Sequence, residues 1–279
     1  MGDAGSTSES TPLLSSNLPR GTYARSGPND LRGPCPLINS LANHGYINRD
    51  GRNIPASQLN AAMNEVGLSR ALGTVFAQPI FNEHQDPKTA RYRKPPSLLA
   101  RLWAVIRNPW IIMAAFGMRR RGQVDAKGKK VLDLSQLAIP GVVEHDVSLT
   151  RRDHQQDAGS VALQPDLVQD LLASSTDGKV LTMEDLAAFR IRRIQRQLDD
   201  NPGLKYGAQE HGIGCTEIAL VLDVFGNGKS IPCEYARAFF QEERLPVKEG
   251  WRKRWLWTLG FWELATSVKK VKAVMGLRL

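Results

Sequence analysis

One cysteine stands where a sulfur can do chemistry. In Pro34-Cys35-Pro36-Leu37-Ile38-Asn39-Ser40-Leu41-Ala42-Asn43-His44-Gly45-Tyr46, Pro36 can take the first position of a helix, which puts Cys35 at the N-cap. There the sulfur meets free backbone N–H groups and the positive end of the helix dipole, an arrangement that lowers a thiol's pKa. A thiolate so placed suits a nucleophile, a redox sensor or a metal ligand. An ordinary buried cysteine ahead of a helix fits the segment equally well. Cys215 and Cys233 form no C-x-x-C spacing with it or with each other, which excludes zinc ribbons and thioredoxin motifs. An odd number of widely spaced cysteines argues against a disulfide framework and for a reducing, intracellular setting.

The elements that must position this sulfur are helices. The Cys35 helix is expected to run about two turns, bury Leu37, Ile38 and Leu41, and stop at Gly45. A second, capped by Asn53 with Pro55 in its first turn, carries Leu59, Ala62, Met63 and Val66 up to Gly67. Thr182-Met183-Glu184-Asp185 reads as a capping start, although Asp replaces the usual Glu or Gln. The long helix after it shows Leu186, Phe189, Ile194 and Leu198 on one face and ends near Asn201-Pro202. Thr216 to Phe225 and Tyr235 to Glu243 read as two further helices, stopped by Gly226-Asn227-Gly228 and by Leu245-Pro246. Strand-like alternation is rare, so the expected class is mainly α, and the helix pattern shows no repeat.

The 279 residues are 42% hydrophobic, enough for a real core, and carry a formal charge of +9. That charge is not spread evenly. Residues 86–130 hold 12 Lys/Arg and 2 Asp/Glu, residues 251–279 hold 7 and 1, and the remainder is net acidic. The basic cluster interleaves with apolar stretches instead of forming a polar stripe, so no nucleic-acid partner is expected. Residues 1–26 read as a disordered arm without a signal peptide, and Glu9 to Leu14 fits an acidic dileucine sorting pattern. Leu98 to Met118 is the most apolar stretch, but Arg101, Arg107, Asn108 and Pro109 interrupt it, so it is not a transmembrane helix. Flanked by Arg91, Arg93, Lys94 and Arg119-Arg120-Arg121, it can lie in a membrane interface or pack as a lid. The stretch from Trp251 through Phe261-Trp262 to Lys269-Lys270 has the same tryptophan-plus-basic chemistry.

Three blocks, in order, carry a resemblance. Ser26-Gly27-Pro28-Asn29-Asp30-Leu31-Arg32-Gly33-Pro34-Cys35-Pro36, continuing through Asn43-His44-Gly45-Tyr46 to Gly51-Arg52-Asn53-Ile54, resembles the haem-thiolate peroxidases, the family of fungal chloroperoxidase and the short unspecific peroxygenases. Glu144-His145-Asp146-Val147-Ser148-Leu149-Thr150-Arg151 is similar to that family's Glu-His-Asp-x-Ser signature. Phe239-Phe240-Gln241-Glu242-Glu243-Arg244-Leu245-Pro246, with Glu249-Gly250-Trp251, resembles its C-terminal signature. The resemblance spans roughly residues 24–255. It implies one compact multi-helix, chloroperoxidase-like domain around one haem, over residues 27–255, with residues 85–130 as a basic, apolar insertion and 256–279 as an amphipathic basic tail.

The resemblance also implies roles. Cys35 maps to the proximal thiolate ligand of haem b, whose electron donation favours O–O cleavage. Glu144 and Ser148, with a backbone carbonyl of His145, map to oxygen ligands of a Mg²⁺- or Mn²⁺-type ion at a haem propionate. The side chain of His145 maps to the group that orients a distal acid–base glutamate. Glu217, at the head of Ile218-Ala219-Leu220-Val221-Leu222, fits that glutamate best, with Glu210 beside His211 as the rival. The proton shuttle needs a carboxylate tuned by a mostly apolar pocket.

The expected function is therefore that of a peroxidase or peroxygenase, which uses hydrogen peroxide to oxidise or oxygenate a small aromatic or polyketide-like substrate in fungal secondary metabolism. Halide oxidation and a membrane-associated haem-binding protein without turnover are the competing expectations. The expected location is intracellular, with peripheral membrane contact left open.

Overall fold

In the computed structural model, which describes residues 18–85, 97–107, 109–157, 160–201, 203–204 and 206–277, Pro36 opens helix α1 (Pro36–Asn43). Cys35 is its N-cap, in extended backbone (φ −77°, ψ 111°). The chain continues through β1 (Ile54–Pro55), α2 (Ala56–Asn64), α3 (Arg70–Ile80), α4 (Leu98–Arg107), a 3₁₀ helix (Pro109–Phe116), β2 (Val131–Leu132) and a second 3₁₀ helix (Leu134–Ala138). The second half holds α5 (Pro165–Ala173), β3 (Val180–Thr182), α6 (Met183–Asp200), α7 (Ala208–Phe225), β4 (Ser230–Pro232), α8 (Cys233–Phe240) and α9 (Phe261–Met275). Nine α-helices against four strands of two or three residues make the described fold mainly α, as the apolar spacing predicts.

Local chemistry explains where the elements begin. Thr182 caps α6 reciprocally with Asp185: the Asp185 N–H donates to Thr182 Oγ1 and the Thr182 N–H donates to Asp185 Oδ2, both at 3.0 Å. Asn53 does not cap α2. It sits at φ 51° with its N–H donated to Asp133 Oδ1 (2.9 Å), and the chain pairs β1 with β2 before Pro55 starts the helix. α7 begins at Ala208, well before Thr216, because Glu210 Oε2 accepts the Gly207 N–H (2.9 Å) and caps the extra turns.

The second half contains a repeat that the helix spacing conceals. Asp177-Gly178-Lys179 and Asn227-Gly228-Lys229 make matching turns, with Gly178 at φ 70° and Gly228 at φ 81°. Asp177 Oδ1 accepts the N–H groups of Lys179 and Val180, and Asn227 Oδ1 accepts those of Lys229 and Ser230. The turns feed β3 and β4, which pair antiparallel about Leu181 and Ile231. Cys233 N–H donates to Lys179 O and Met183 N–H to Lys229 O, each at 2.8 Å. Two helix–turn–strand–helix units thus meet about an approximate two-fold. The pairing fixes α6, α7 and α8 relative to one another.

α7 runs through the core, with Ile218, Ala219 and Leu222 fully buried. α9 packs along α7 and α6 through Leu264, Ser267, Val271 and Met275. Its three apolar contacts are worth about 1.5–3 kcal/mol each, so α9 is held on the core. Within the stretch read as an arm, residues 18–26 lie along α1: Gly21 N–H donates to His44 O (2.8 Å) and Ala24 N–H to Asn43 O (2.9 Å). Glu9 to Leu14 lies outside the described residues, as do Arg91, Arg93 and Lys94 within residues 86–96. Among the described residues, no helix is long and apolar enough to cross a membrane.

Candidate active site

A cavity of about 290 Å³ lies between the start of α1, the 143–151 loop and α7. Cys35, Glu144, Ser148, Arg151 and Glu217 all line it, and Leu59, Met63, Phe76, Leu220, Phe239 and Phe240 supply apolar wall. The structure thus brings four of the five expected site residues onto one cavity. The fifth, His145, sits directly behind Glu217.

The Cys35 side is fastened by a network the sequence pattern gave no hint of. Asn39, fully buried on α1, accepts from Gly33 N–H (3.1 Å) and donates to Gly33 O (2.8 Å), which closes the loop that leads to Cys35. The same amide donates to Glu243 Oε1 (2.8 Å), and that oxygen also accepts from the Arg151 guanidinium (2.6 Å). Asn43 Nδ2 donates to Glu243 O (2.9 Å), and Leu245 N–H donates to His44 Nε2 (3.1 Å). The C-terminal block around Glu243 to Leu245 is therefore a clamp on the polar face of α1. Glu243 holds φ 48° to make it.

The thiol itself departs from expectation. Burial pushes Cys35 up to about 11, against the weaker opposing pull of the Ile38 and Leu37 amides. The helix start does act in the expected direction, but desolvation outweighs it.

On the opposite side, His145 Nε2 lies 3.4 Å from Glu217 Oε2, an ion-pair contact short of a hydrogen bond. His145 Nδ1 donates to Asp146 O (2.7 Å), and in the ion pair a second ring N–H, on Nε2, faces the carboxylate. Burial disfavours charge on His145, yet the adjacent Glu217 carboxylate raises its pKa above the ordinary value. Burial likewise works against the Glu217 anion, and His145 overcomes it and holds the carboxyl below the usual range. Glu210, the rival, points elsewhere: its carboxylate is used on Gly207 N–H at the helix start.

The loop carrying His145 hangs from α6 by two arginines. Arg190 NH1 donates to Val147 O (2.7 Å), and Arg193 NH2 donates to Arg151 O (3.1 Å). Val147 is held at φ 62° and its N–H donates to Asp153 Oδ1 (2.9 Å). Arg190, fully buried, also crosses α7 and donates to Glu210 O (3.2 Å). It can cross only because residue 214 is glycine, since a Cβ there would occupy the Arg190 guanidinium. Asn39, Glu243, Arg151 and Arg190 are the functional supports that sequence reasoning missed.

Unsatisfied polar atoms test what the cavity can hold. Glu144 Oε1 is buried without a partner, and burial, reinforced by Glu217, pushes its pKa up to about 8 despite His145. Arg151 Nε is likewise buried and unpartnered. A thiol at the wall, an unpaired carboxylate oxygen, an unpaired guanidinium N–H and apolar surroundings fit a haem with charged substituents. Among the described residues no group of three or more His, Cys, Asp or Glu is placed to hold a metal ion, so Glu144 and Ser148 make only a partial cation site.

Comparison with known proteins agrees with this chemistry. The sequence model of "Peroxidase, family 2" matches residues 21–255. The chain is 29% identical over 201 residues to the dothistromin biosynthesis peroxidase dotB of Dothistroma septosporum, covering 72% of this chain and 43% of that protein. It is 28% identical over 146 residues to the chloroperoxidase of Leptoxyphium fumago, covering 52% of this chain and 29% of that protein. An aromatic peroxygenase of Coprinellus radians is 25% identical over 232 residues, covering 81% of this chain and 80% of that protein. The chain thus matches less than half the length of the first two relatives. It belongs to peroxidase family 2, the haem-thiolate chloroperoxidase and peroxygenase family.

Proposed function

We propose that this member of peroxidase family 2 is a peroxygenase-type enzyme that uses hydrogen peroxide to oxidise or oxygenate a small aromatic or polyketide-like substrate. The observation that carries this reading is the convergence of Cys35 and the His145–Glu217 pair on one cavity with otherwise largely apolar walls. A haem b ligated by the Cys35 thiolate supplies the oxidising chemistry when bound. Glu217 moves a proton from one peroxide oxygen to the other, and His145 behind it holds the carboxylate in place and shares its charge. Glu144 and Ser148 would supply oxygen ligands to a Mg²⁺- or Mn²⁺-type ion, which would offset the charge of a carboxylate-bearing cofactor. Arg151 would give its unpaired N–H to an anionic group of the cofactor. The apolar walls take up an organic substrate and exclude bulk water, which favours oxygenation over halide oxidation.

A biosynthetic role in fungal secondary metabolism is part of the proposal and is supported by the likeness to the dothistromin peroxidase. An intracellular setting rests on three cysteines that are all free. Membrane contact involves a different surface and is taken up below.

The test is spectroscopic and kinetic. The haem-loaded, reduced protein with carbon monoxide should show a thiolate-type Soret band that Cys35→Ala abolishes. Glu217→Gln should keep that band and lose peroxide turnover, whereas Glu210→Gln should keep both. No haem uptake by the wild-type chain, or turnover lost with Glu210→Gln alone, would overturn the assignment.

A further inference from the structure

The loop between Trp251 and Leu259 is anchored at both ends and bare in the middle. Trp251 is buried and donates its indole N–H to Val224 O (2.8 Å). Leu259 is buried, with its N–H on Gly67 O (2.8 Å) and its carbonyl accepting from Ser69 N–H (2.9 Å). Between these anchors Trp255, Leu256 and Trp257 stand 78%, 66% and 84% exposed. The first turn of α9 adds Phe261 and Trp262, the latter 83% exposed. An ion pair between Arg254 and Glu263 (2.5 Å) holds the loop base against that first turn, so the two groups adjoin. A fastened backbone that holds large apolar side chains out of the core is characteristic of an interaction surface.

The charges around it are mostly of one sign. Arg252 donates to the main-chain carbonyls of Val247 and Trp251 and, among the described residues, to no carboxylate. On α9, Leu264, Ser267, Val271 and Met275 face the core. Trp262 and Lys269, seven residues apart, share the opposite line of the helix, and Lys270 and Lys272 flank it, all exposed. None of these three lysines is in an ion pair among the described residues. The acidic groups nearby, Glu65 and Glu263, are taken by Lys253 and Arg254.

We propose that this surface docks on an anionic lipid bilayer. Trp255, Leu256, Trp257 and Trp262 enter the headgroup boundary, where an indole keeps its N–H hydrated while its ring leaves water. Arg252, Lys269, Lys270 and Lys272 face acidic headgroups, and the complementarity of charge selects an anionic bilayer over a neutral one. The inference goes beyond the peroxidase reading and stands whether or not that reading holds.

The experiment is sedimentation of the full, haem-loaded chain with vesicles of phosphatidylcholine alone or of phosphatidylcholine and phosphatidylserine, with tryptophan fluorescence as a second readout. The wild-type chain should pellet with the phosphatidylserine vesicles, with a blue-shifted emission, and stay largely in solution with phosphatidylcholine. Trp255→Ala/Trp257→Ala should lower the partition coefficient about tenfold or more, because binding scales with the apolar area inserted. Lys269→Gln/Lys270→Gln/Lys272→Gln should remove most of the preference for phosphatidylserine. All five side chains face solvent, so both variants should melt with the wild type. Wild-type protein left in solution with anionic vesicles, or either variant binding as the wild type does, overturns the proposal. So does a wild-type dimer, without vesicle binding, that Trp255→Ala/Trp257→Ala converts to monomer.

Discussion

The two sides of the cavity are built on opposite plans. Behind Cys35, buried polar groups are mostly satisfied: Asn39, Asn43 and His44 each bond to residues 243–245, and Glu243 closes onto Arg151, of which only Nε stays unpartnered. Around Glu217, they are not: Glu144 Oε1, His145 Nε2 and Arg190 Nε have no hydrogen-bond partner. Dense hydrogen bonding rigidifies, and here it fixes the backbone that carries the Cys35 sulfur. Unsatisfied groups remain available to ligands and protons, which is what an acid–base relay needs. One wall is tied down, and the other keeps open polar atoms.

That contrast can be broken by substitution. The largest effect is expected from Glu243→Gln, which leaves the buried Arg151 without its anion. A loss of about 3–5 kcal/mol in thermal or chemical denaturation is expected, and a change below about 1 kcal/mol would show that the clamp is ornamental. Glu217→Gln should do the reverse, cutting peroxide turnover about a hundredfold or more while costing less stability than Glu243→Gln does. Gly214→Ala comes next, because the new Cβ must displace Arg190. A cost of about 1–3 kcal/mol is expected, and Arg190→Met in the same chain should recover much of it.

Two smaller tests concern pH. Because burial raises the Cys35 thiol to about 11, its alkylation in the haem-free chain, read against Cys35→Ala, should be slow at neutral pH and speed up as pH rises toward that value. A fast, pH-independent reaction at neutral pH would contradict the burial. Asp223, between α7 and α9, is raised by burial although Ser267 Oγ donates to it (3.1 Å) and opposes the rise. A carboxyl with a raised folded pKa favours the folded state while protonated, so stability is lost as pH climbs above 3.8, its ordinary value, through the raised one. Asp223→Asn should remove that loss and stabilise the chain at neutral pH by up to about 1 kcal/mol. An unchanged pH profile of melting would refute it.

How much of this is legible in the sequence depends on the distance over which each signal acts. Pro36 after Cys35 and Thr182 before Asp185 are short-range signals, and the structure shows the N-cap and the capping box they predict. Glu210 caps the Gly207 amide and Glu217 lines the cavity, a difference of position that two carboxylates on one helix do not display in sequence. The Asn39–Glu243–Arg151 network joins three distant segments and leaves no local pattern. The direction of the Cys35 shift was missed because a helix start is visible in sequence and desolvation is not. Asn53 read as a cap because Asn favours caps, but the same residue type tolerates positive φ, and there the partner Asp133 decided. The paired turns at Asp177 and Asn227 leave little trace in sequence because their shared feature is one side-chain oxygen and a glycine, set between helices of different length.

The crossing of Arg190 over Gly214 has an evolutionary consequence. One position constrains another on a different helix, since a side chain at 214 and a guanidinium at 190 exclude each other. Among sequences that keep the Glu-His-Asp block, arginine at the first position should come with glycine at the second. Lineages that lose the glycine should be found to have lost the arginine too, whereas loss of the arginine leaves the glycine free to stay.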